Sequence, residues 1–261
     1  MPGRPVATVK DLPMTRHFLP ALFSAALLAA PAFATDIDSM TEAEREAFRA
    51  EVRAYLLDNP EVIMEAVNAL EARNQQAQAQ ADRDLVSAYS DAIFDDGHSW
   101  IGGNPEGDVT MVEFMDYRCG YCRKADPEVQ TLLEEDGNIR LIVKEFPILG
   151  EASMVSSRFA IATKMVAGDA AYASVHEALL GMGGELGDVE LRRLAEGLGL
   201  DAEAILAEMD SEAVTKVIAD NRALAQALQI NGTPTFVLGD ELVRGYLPAA
   251  ELAEIVSGLR G

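Results

Sequence analysis

Cys119-Gly120-Tyr121-Cys122 holds the only two cysteines of the chain. A pair at this spacing can close and reopen a small disulfide ring, or it can supply half of a four-ligand metal site. With no third thiol present, the first use is favoured. The residues around the pair constrain the fold. Val109 to Tyr117 is rich in strand formers and runs directly into the cysteines, and Arg123 to Glu135 after them is helical in pattern. Ile139 to Phe146 reads as a second strand, so the cysteines sit at the first turn of a strand, helix, strand unit, whose short crossover favours parallel pairing.

The setting of the thiols follows from the start of the chain. Arg4, Lys10 and Arg16 precede an apolar run from Phe18 to Ala30, and Ala32-Phe33-Ala34 is a small-x-small cleavage site, so residues 1–34 read as an export signal. Cleavage there leaves about 227 of the 261 residues, enough for one domain with an appendage or insertion. No later stretch approaches the roughly 18 continuous apolar residues of a membrane span, and the mature chain is read as soluble and periplasmic. Export places the two thiols in an oxidising compartment, where a lone pair cycles between dithiol and disulfide. Losing Arg4, Lys10, Arg16 and Asp11 with the signal turns the formal charge from −22 to −24. So acidic a surface disfavours nucleic acid and anionic lipid as partners.

Residues 41–94 read as helical. Thr41-Glu42-Ala43-Glu44 is a capping-box pattern, and Phe48, Val52, Tyr55 and Leu56 recur at helical spacing. Asn59-Pro60 breaks this helix and starts another, with a stripe of Val62, Ile63, Ala66, Val67 and Leu70. From Glu71 to Asp84 the chain is almost all Ala, Gln and charge, which favours helix but offers little to bury. The segment is therefore either a solvated arm or one that packs on a copy of itself, and a homo-oligomer through residues 41–94 is expected. Gly102 to Gly107 reads as a turn cluster marking a boundary. After Pro147, four helical segments run from about Ala152 to Leu228, divided at Gly168-Asp169, Gly181 to Asp188 and Gly199 to Asp201. Thr235 to Leu238 and Leu242 to Gly245 then form a hairpin, and a last helix spans about Pro248 to Leu259. The expected organisation is 1–34 signal, 35–101 helical arm and linker, and 102–261 an α/β domain with an all-helical insert at about 152–228.

At the strand-to-helix turn, the free N–H groups and dipole of the helix favour a negative sulfur on Cys119. Cys122 lies one turn further in on the same face. Cys119 is thus the sulfur that exchanges with an outside thiol, and Cys122 the one that resolves the mixed disulfide. A zinc site would need two more ligands from a mature chain that offers only His98 and His176, and a structural disulfide across so short a loop constrains little of the unfolded chain. No metal or other cofactor is called for.

With these motifs in place the chain resembles the thioredoxin superfamily, and within it the DsbA-like periplasmic thiol-disulfide oxidoreductases, over roughly Val109 to Leu259. Phe114 to Cys122 is similar to the strand-plus-CxxC element. Pro127 falls where the active-site helix is kinked, and Thr233-Pro234-Thr235-Phe236 is similar to the cis-proline loop. The resemblance implies a thioredoxin fold with a helical insertion and a cis Pro234 opposite the cysteines. It also implies a Thr233 backbone that pairs with an incoming unfolded chain, and a membrane redox partner protein. Glu113, six residues before Cys119, falls where these proteins carry a buried acid that relays the proton of Cys122; the alternative is a solvated carboxylate, or one paired with Lys144. Gly120 and Tyr121 lie between the sulfurs and tune the potential. The 41–94 arm resembles the N-terminal segment of suppressor-of-copper-sensitivity C proteins, and with Cys-Gly-Tyr-Cys it leans toward disulfide rearrangement in unfolded or misfolded exported proteins. A different class of function stays open: a non-catalytic protein holding Cu(I) between the two thiolates.

Overall fold

The computed structural model describes residues 39–184 and 186–261, so residues 1–34, read above as an export signal, lie outside the described residues. The chain forms two units, Met1–Ile63 and Met64–Gly261.

In the first, α1 (Glu42–Asp58) starts at Thr41, whose backbone is extended. The Glu44 N–H donates to Thr41 Oγ1 (3.4 Å) and the Thr41 N–H to Glu44 Oε2 (2.8 Å), completing the capping box. The helix stops where both N–H groups of Asn59 turn back to the Tyr55 carbonyl, ahead of Pro60, which cannot continue the ladder. No residue of α1 is buried. The next helix, α2 (Glu61–Ala88), is exposed as far as Ala81 along its Ala, Gln and charged stretch.

In the second unit the end of α2 packs. Val86 is buried, and the carboxylate of Asp82 accepts from Gln78 (2.8 Å) and twice from the Arg244 guanidinium (2.6 and 2.9 Å). There follow α3 (Ser90–Phe94), β1 (Trp100–Gly103), β2 (Val109–Met115), α4 (Gly120–Asp136) and β3 (Ile139–Glu145). The insert comprises α5 (Glu151–Ala167), α6 (Asp169–Gly181), α7 (Asp188–Gly197), α8 (Ala202–Glu208) and α9 (Glu212–Ala227), and β4 (Thr235–Leu238), β5 (Glu241–Arg244) and α10 (Ala249–Arg260) close the fold. The sheet order is β1-β3-β2-β4-β5; β2 and β3 are parallel and the other pairs antiparallel.

Two readings of the sequence are corrected here. The turn cluster at 102–107 is partly strand: β1 ends in Gly102 and Gly103, and only Asn104 to Gly107 turns. These two glycines serve close approach. A Cβ on Gly102 would lie 2.3 Å from the Trp100 indole, and Gly103, at φ +64°, would meet the Ile139 carbonyl oxygen at 2.5 Å. The insert has five helices where four are expected, because α8 and α9 are divided without glycine or proline: Ser211 caps α9 by accepting from the Val214 N–H (3.1 Å).

The central strands β2 and β3 are buried on both faces. Their register pairs Glu113 with Val143 and Met115 with Glu145. Met111, Glu113 and Met115 therefore share one face with Leu141, Val143 and Glu145, against α4, α10 and the insert. Val112, Phe114 and Ile142 face the other side with Val86, Ile93, Leu224 and Val237, and Lys144 points there too.

Candidate active site

The turn after β2 is organised by Asp116. Its carboxylate is fully buried and accepts from the backbone N–H groups of Arg118 (2.7 Å), Ile148 (2.8 Å) and Leu149 (3.0 Å), while its carbonyl accepts from the Cys119 N–H (3.0 Å). One side chain thus ties the turn that carries the cysteines to the loop after β3. Cys119 is the N-cap of α4 with extended backbone, which puts its sulfur at the unpaired N–H end of the helix. Cys122 stands one turn inside, and both cysteines carry free thiols. Both are buried, Cys119 at 8% exposed and Cys122 at 1%, so the first lies nearer the surface. Around them Tyr121 is 64% exposed, and Ile148 and Leu149 add apolar surface on the adjoining loop. At Gly120 a Cβ would meet nothing within 4 Å, so this position is open space beside the sulfur.

Across the turn, the Thr233-Pro234 bond is cis. The Cys119 thiol donates to the Thr233 carbonyl at 3.1 Å, and the Gly245 N–H at the end of β5 donates to the Pro234 carbonyl at 2.9 Å. The hairpin therefore holds the proline loop against the N-terminus of α4, bringing Cys119, Cys122, Thr233 and Pro234 together.

Glu113 is buried on the face of β2 that packs under α4. Burial above all, then the charges of Asp126 and Glu145, push its carboxyl up to about 8. Burial, with the charge of Glu113 second, pushes the Cys122 thiol up. The two groups thus sense each other. Lys144 lies on the opposite face, where its ammonium pairs with Asp96 and donates to the Ala92 carbonyl. Strand alternation separates it from Glu113, and no salt bridge links the two among the described residues. Neither histidine serves the sulfurs: His98 sits with Asp96, and His176 meets the Tyr117 hydroxyl.

Sequence reasoning passed over Asp116 and two arginines. Arg118 donates to the carbonyls of Met182 and Gly184, and Arg123 to those of Tyr117 and Met182. They lash the loop between α6 and α7 to the cysteine turn. A signal for Asp116 exists, since an Asp two residues before a turn N–H is a common turn former. For the arginines there is none, because the loop carbonyls they hold lie some sixty residues away.

Comparison with known proteins bears on the family and the fold. A model of the ScsC N-terminal domain, described as a copper resistance protein domain, matches residues 44–77. Among solved structures, a thioredoxin-like oxidoreductase from Silicibacter pomeroyi is 44% identical and covers 65% of this chain and 96% of its own, with a TM-score of 0.61. The thiol-disulfide exchange protein alpha-DsbA2 from Wolbachia pipientis is 29% identical, over 70% and 98%, with a TM-score of 0.65. Proteus mirabilis ScsC in a transitional conformation is 26% identical, over 84% and 98%, with a TM-score of 0.61. The chain spans about a quarter of the length of the curated relatives it matches, which are Na(+)/H(+) antiporters. A model of the DSBA-like thioredoxin domain matches residues 110–257, more than half the sequence and the whole of the cysteine site. The chain belongs to the DSBA-like thioredoxin domain family.

Proposed function

We propose that the protein exchanges disulfides with exported polypeptides through Cys119 and Cys122, forming or rearranging their bonds by way of a mixed disulfide. The observation that carries this reading is Cys119 at the N-terminus of α4, the less buried of the two cysteines, its sulfur held 3.1 Å from the Thr233 carbonyl beside cis Pro234. In the oxidising direction a client thiolate attacks Cys119, the bond to Cys122 breaks, and Cys122 leaves as a thiolate that takes the proton of Glu113. A second client thiolate then attacks the mixed disulfide and Cys119 leaves, so the client gains a disulfide and the pair is reduced. In rearrangement the reduced pair starts: Cys119 attacks a client disulfide and expels one client thiolate, another client thiolate then attacks the client sulfur of the mixed disulfide, and Cys119 leaves, so the client has exchanged one disulfide for another and the pair stays reduced. Where no client thiolate does so, Cys122 gives its proton to Glu113 and attacks Cys119, which releases a reduced client and leaves the pair oxidised. Tyr121, Gly120 and the Thr233 backbone form the surface the client meets. A membrane redox partner protein restores the pair, and the site of action is the periplasm, after removal of residues 1–34.

The test uses two clients. Oxidised protein is expected to oxidise a reduced dithiol peptide, or reduced protein to speed the recovery of scrambled ribonuclease, and Cys119→Ala to abolish whichever activity is present. Wild-type protein no faster than Cys119→Ala with either client would overturn the reading. The match of residues 44–77 to a copper resistance protein domain favours Cu(I) held by the two thiolates as a second reading. It leaves the cis-proline loop without a role; Cu(I) retained on dialysis by wild type and lost in Cys119→Ala would support it.

A further inference from the structure

On the sheet face beneath α4 lies a second buried carboxyl that disulfide exchange has not yet used. Glu145, at the end of β3, is 3% exposed. Three hydroxyls converge on it: Tyr117 (2.8 Å) and Tyr172 (2.5 Å) donate to Oε1, and Ser157 (2.7 Å) to Oε2. Tyr117 has one hydroxyl proton. Donating it to Glu145 leaves its oxygen to accept from Nδ1 of His176, 2.9 Å away. The network is thus built to receive a carboxylate, which accepts and does not donate. Tyr117 stands two residues before Cys119, and its carbonyl accepts from Arg123 Nε. The register pairs Met115 with Glu145 and Glu113 with Val143, so the two glutamates are diagonal neighbours on one face of adjacent strands.

We propose that Glu145 is a positioning residue of this site, one that governs proton exchange between Glu113 and Cys122 through its charge. The inference rests on the disulfide-exchange reading above. Negative charge on Glu145 disfavours negative charge on Glu113 and so keeps a proton on Glu113. That proton is available when Cys122 leaves its disulfide: the Glu113 carboxyl becomes a carboxylate, the Cys122 thiolate becomes a thiol, and solvent later returns the proton. The groups facing the pair offer nothing to cancel the charge. From the turn after β2 comes Asp116, from α4 Cys122 and Asp126, and from α6 a neutral His176, which burial lowers to about 4. Among the described residues no lysine or arginine side chain pairs with either glutamate. Burial pushes Glu145 itself up to about 7 against the pull of its three hydroxyls, so its charge changes near neutral pH.

The test is Glu145→Gln in the full chain with ¹³C-labelled glutamate carboxyls, the Glu113 resonance being assigned by its loss in Glu113→Gln. The Glu113 midpoint is expected to fall by about one pH unit. The pH at which attack of a thiol peptide on the oxidised protein slows should fall with it, and Glu145→Asp should restore both. A residue of purely structural importance would move neither together with the other. Tyr172→Phe removes one donor to the Glu145 carboxylate and serves if the first variant does not fold; a smaller fall of the same sign is expected. A Glu113 midpoint unmoved in the folded variants overturns the inference and leaves exchange standing. Absence of exchange by the wild type overturns both, and it is recognisable separately because the titration needs no turnover.

Discussion

At the scale of single residues, the site differs from an ordinary helix N-terminus in its buried acids. Glu113 at about 8 against an ordinary 4.5 means that folding takes up a proton between those values. The stability linked to it is fully present below about pH 4.5, drains away as the pH rises, and is gone above about 8, at on the order of 1 kcal/mol per pH unit. Glu145 acts in the same direction up to about 7. The urea midpoint of wild type is therefore expected to decline from pH 5 to pH 8, and that of Glu113→Gln to decline about half as steeply; parallel curves would show that Glu113 titrates normally. Much of this was legible in the sequence. An acid inside an apolar strand six residues before a cysteine is a local pattern, and the two sulfurs, Thr233 and Pro234 stand where the motifs put them. Glu145 was less so, and of Asp116 only its bond to the Arg118 N–H was local enough to read. Their meaning lies in donors contributed by the loop after β3, by the turn and by two helices of the insert, and such convergence leaves no trace in spacing.

Among the elements, those with strong periodicity or cap chemistry were readable, and those made by tertiary contact were not. The capping box at Thr41, the break at Asn59-Pro60 and the unit β2-α4-β3 are local events. β1 is four residues long and carries two glycines, which by propensity deny a strand. It exists because Gly102 lets the Trp100 ring lie over the backbone and Gly103 lets β3 come close. Gly102→Ala would force the indole off its place, and overpacking of this kind costs about 1 to 3 kcal/mol. A lowered denaturation midpoint by circular dichroism is the expected outcome, and an unchanged one would mean that the edge strand adapts freely. At the other edge of the sheet, the Asp82 and Arg244 pair could not be read from a stretch of Ala, Gln and charge.

For the whole molecule, the open question is assembly. Along α1 and the start of α2, Phe48, Val52, Tyr55, Leu57 and Ile63 are each at least 40% exposed, and all of these but Tyr55 line a groove of about 450 Å³. The proposed homo-oligomer through residues 41–94 would cover this surface, since exposed apolar patches of such size mark contact sites. Sedimentation velocity is expected to find an assembly for wild type and a monomer for Phe48→Asp with Val52→Asp, with the disulfide-exchange rate on a small peptide unchanged. Equal sedimentation of the two would remove the arm from the account of assembly.

Trp100 is the only tryptophan in the chain. Its indole stacks on Tyr172 at 5.2 Å and on His176 at 5.9 Å, between centroids, and Tyr172 in turn donates its hydroxyl to Glu145. The tryptophan emission of the unlabelled protein therefore comes from one place, one ring removed from the acid cluster behind the sulfurs. Nearby histidines and carboxyls change an indole's brightness when they gain or lose a proton, so the molecule carries its own optical gauge of that cluster.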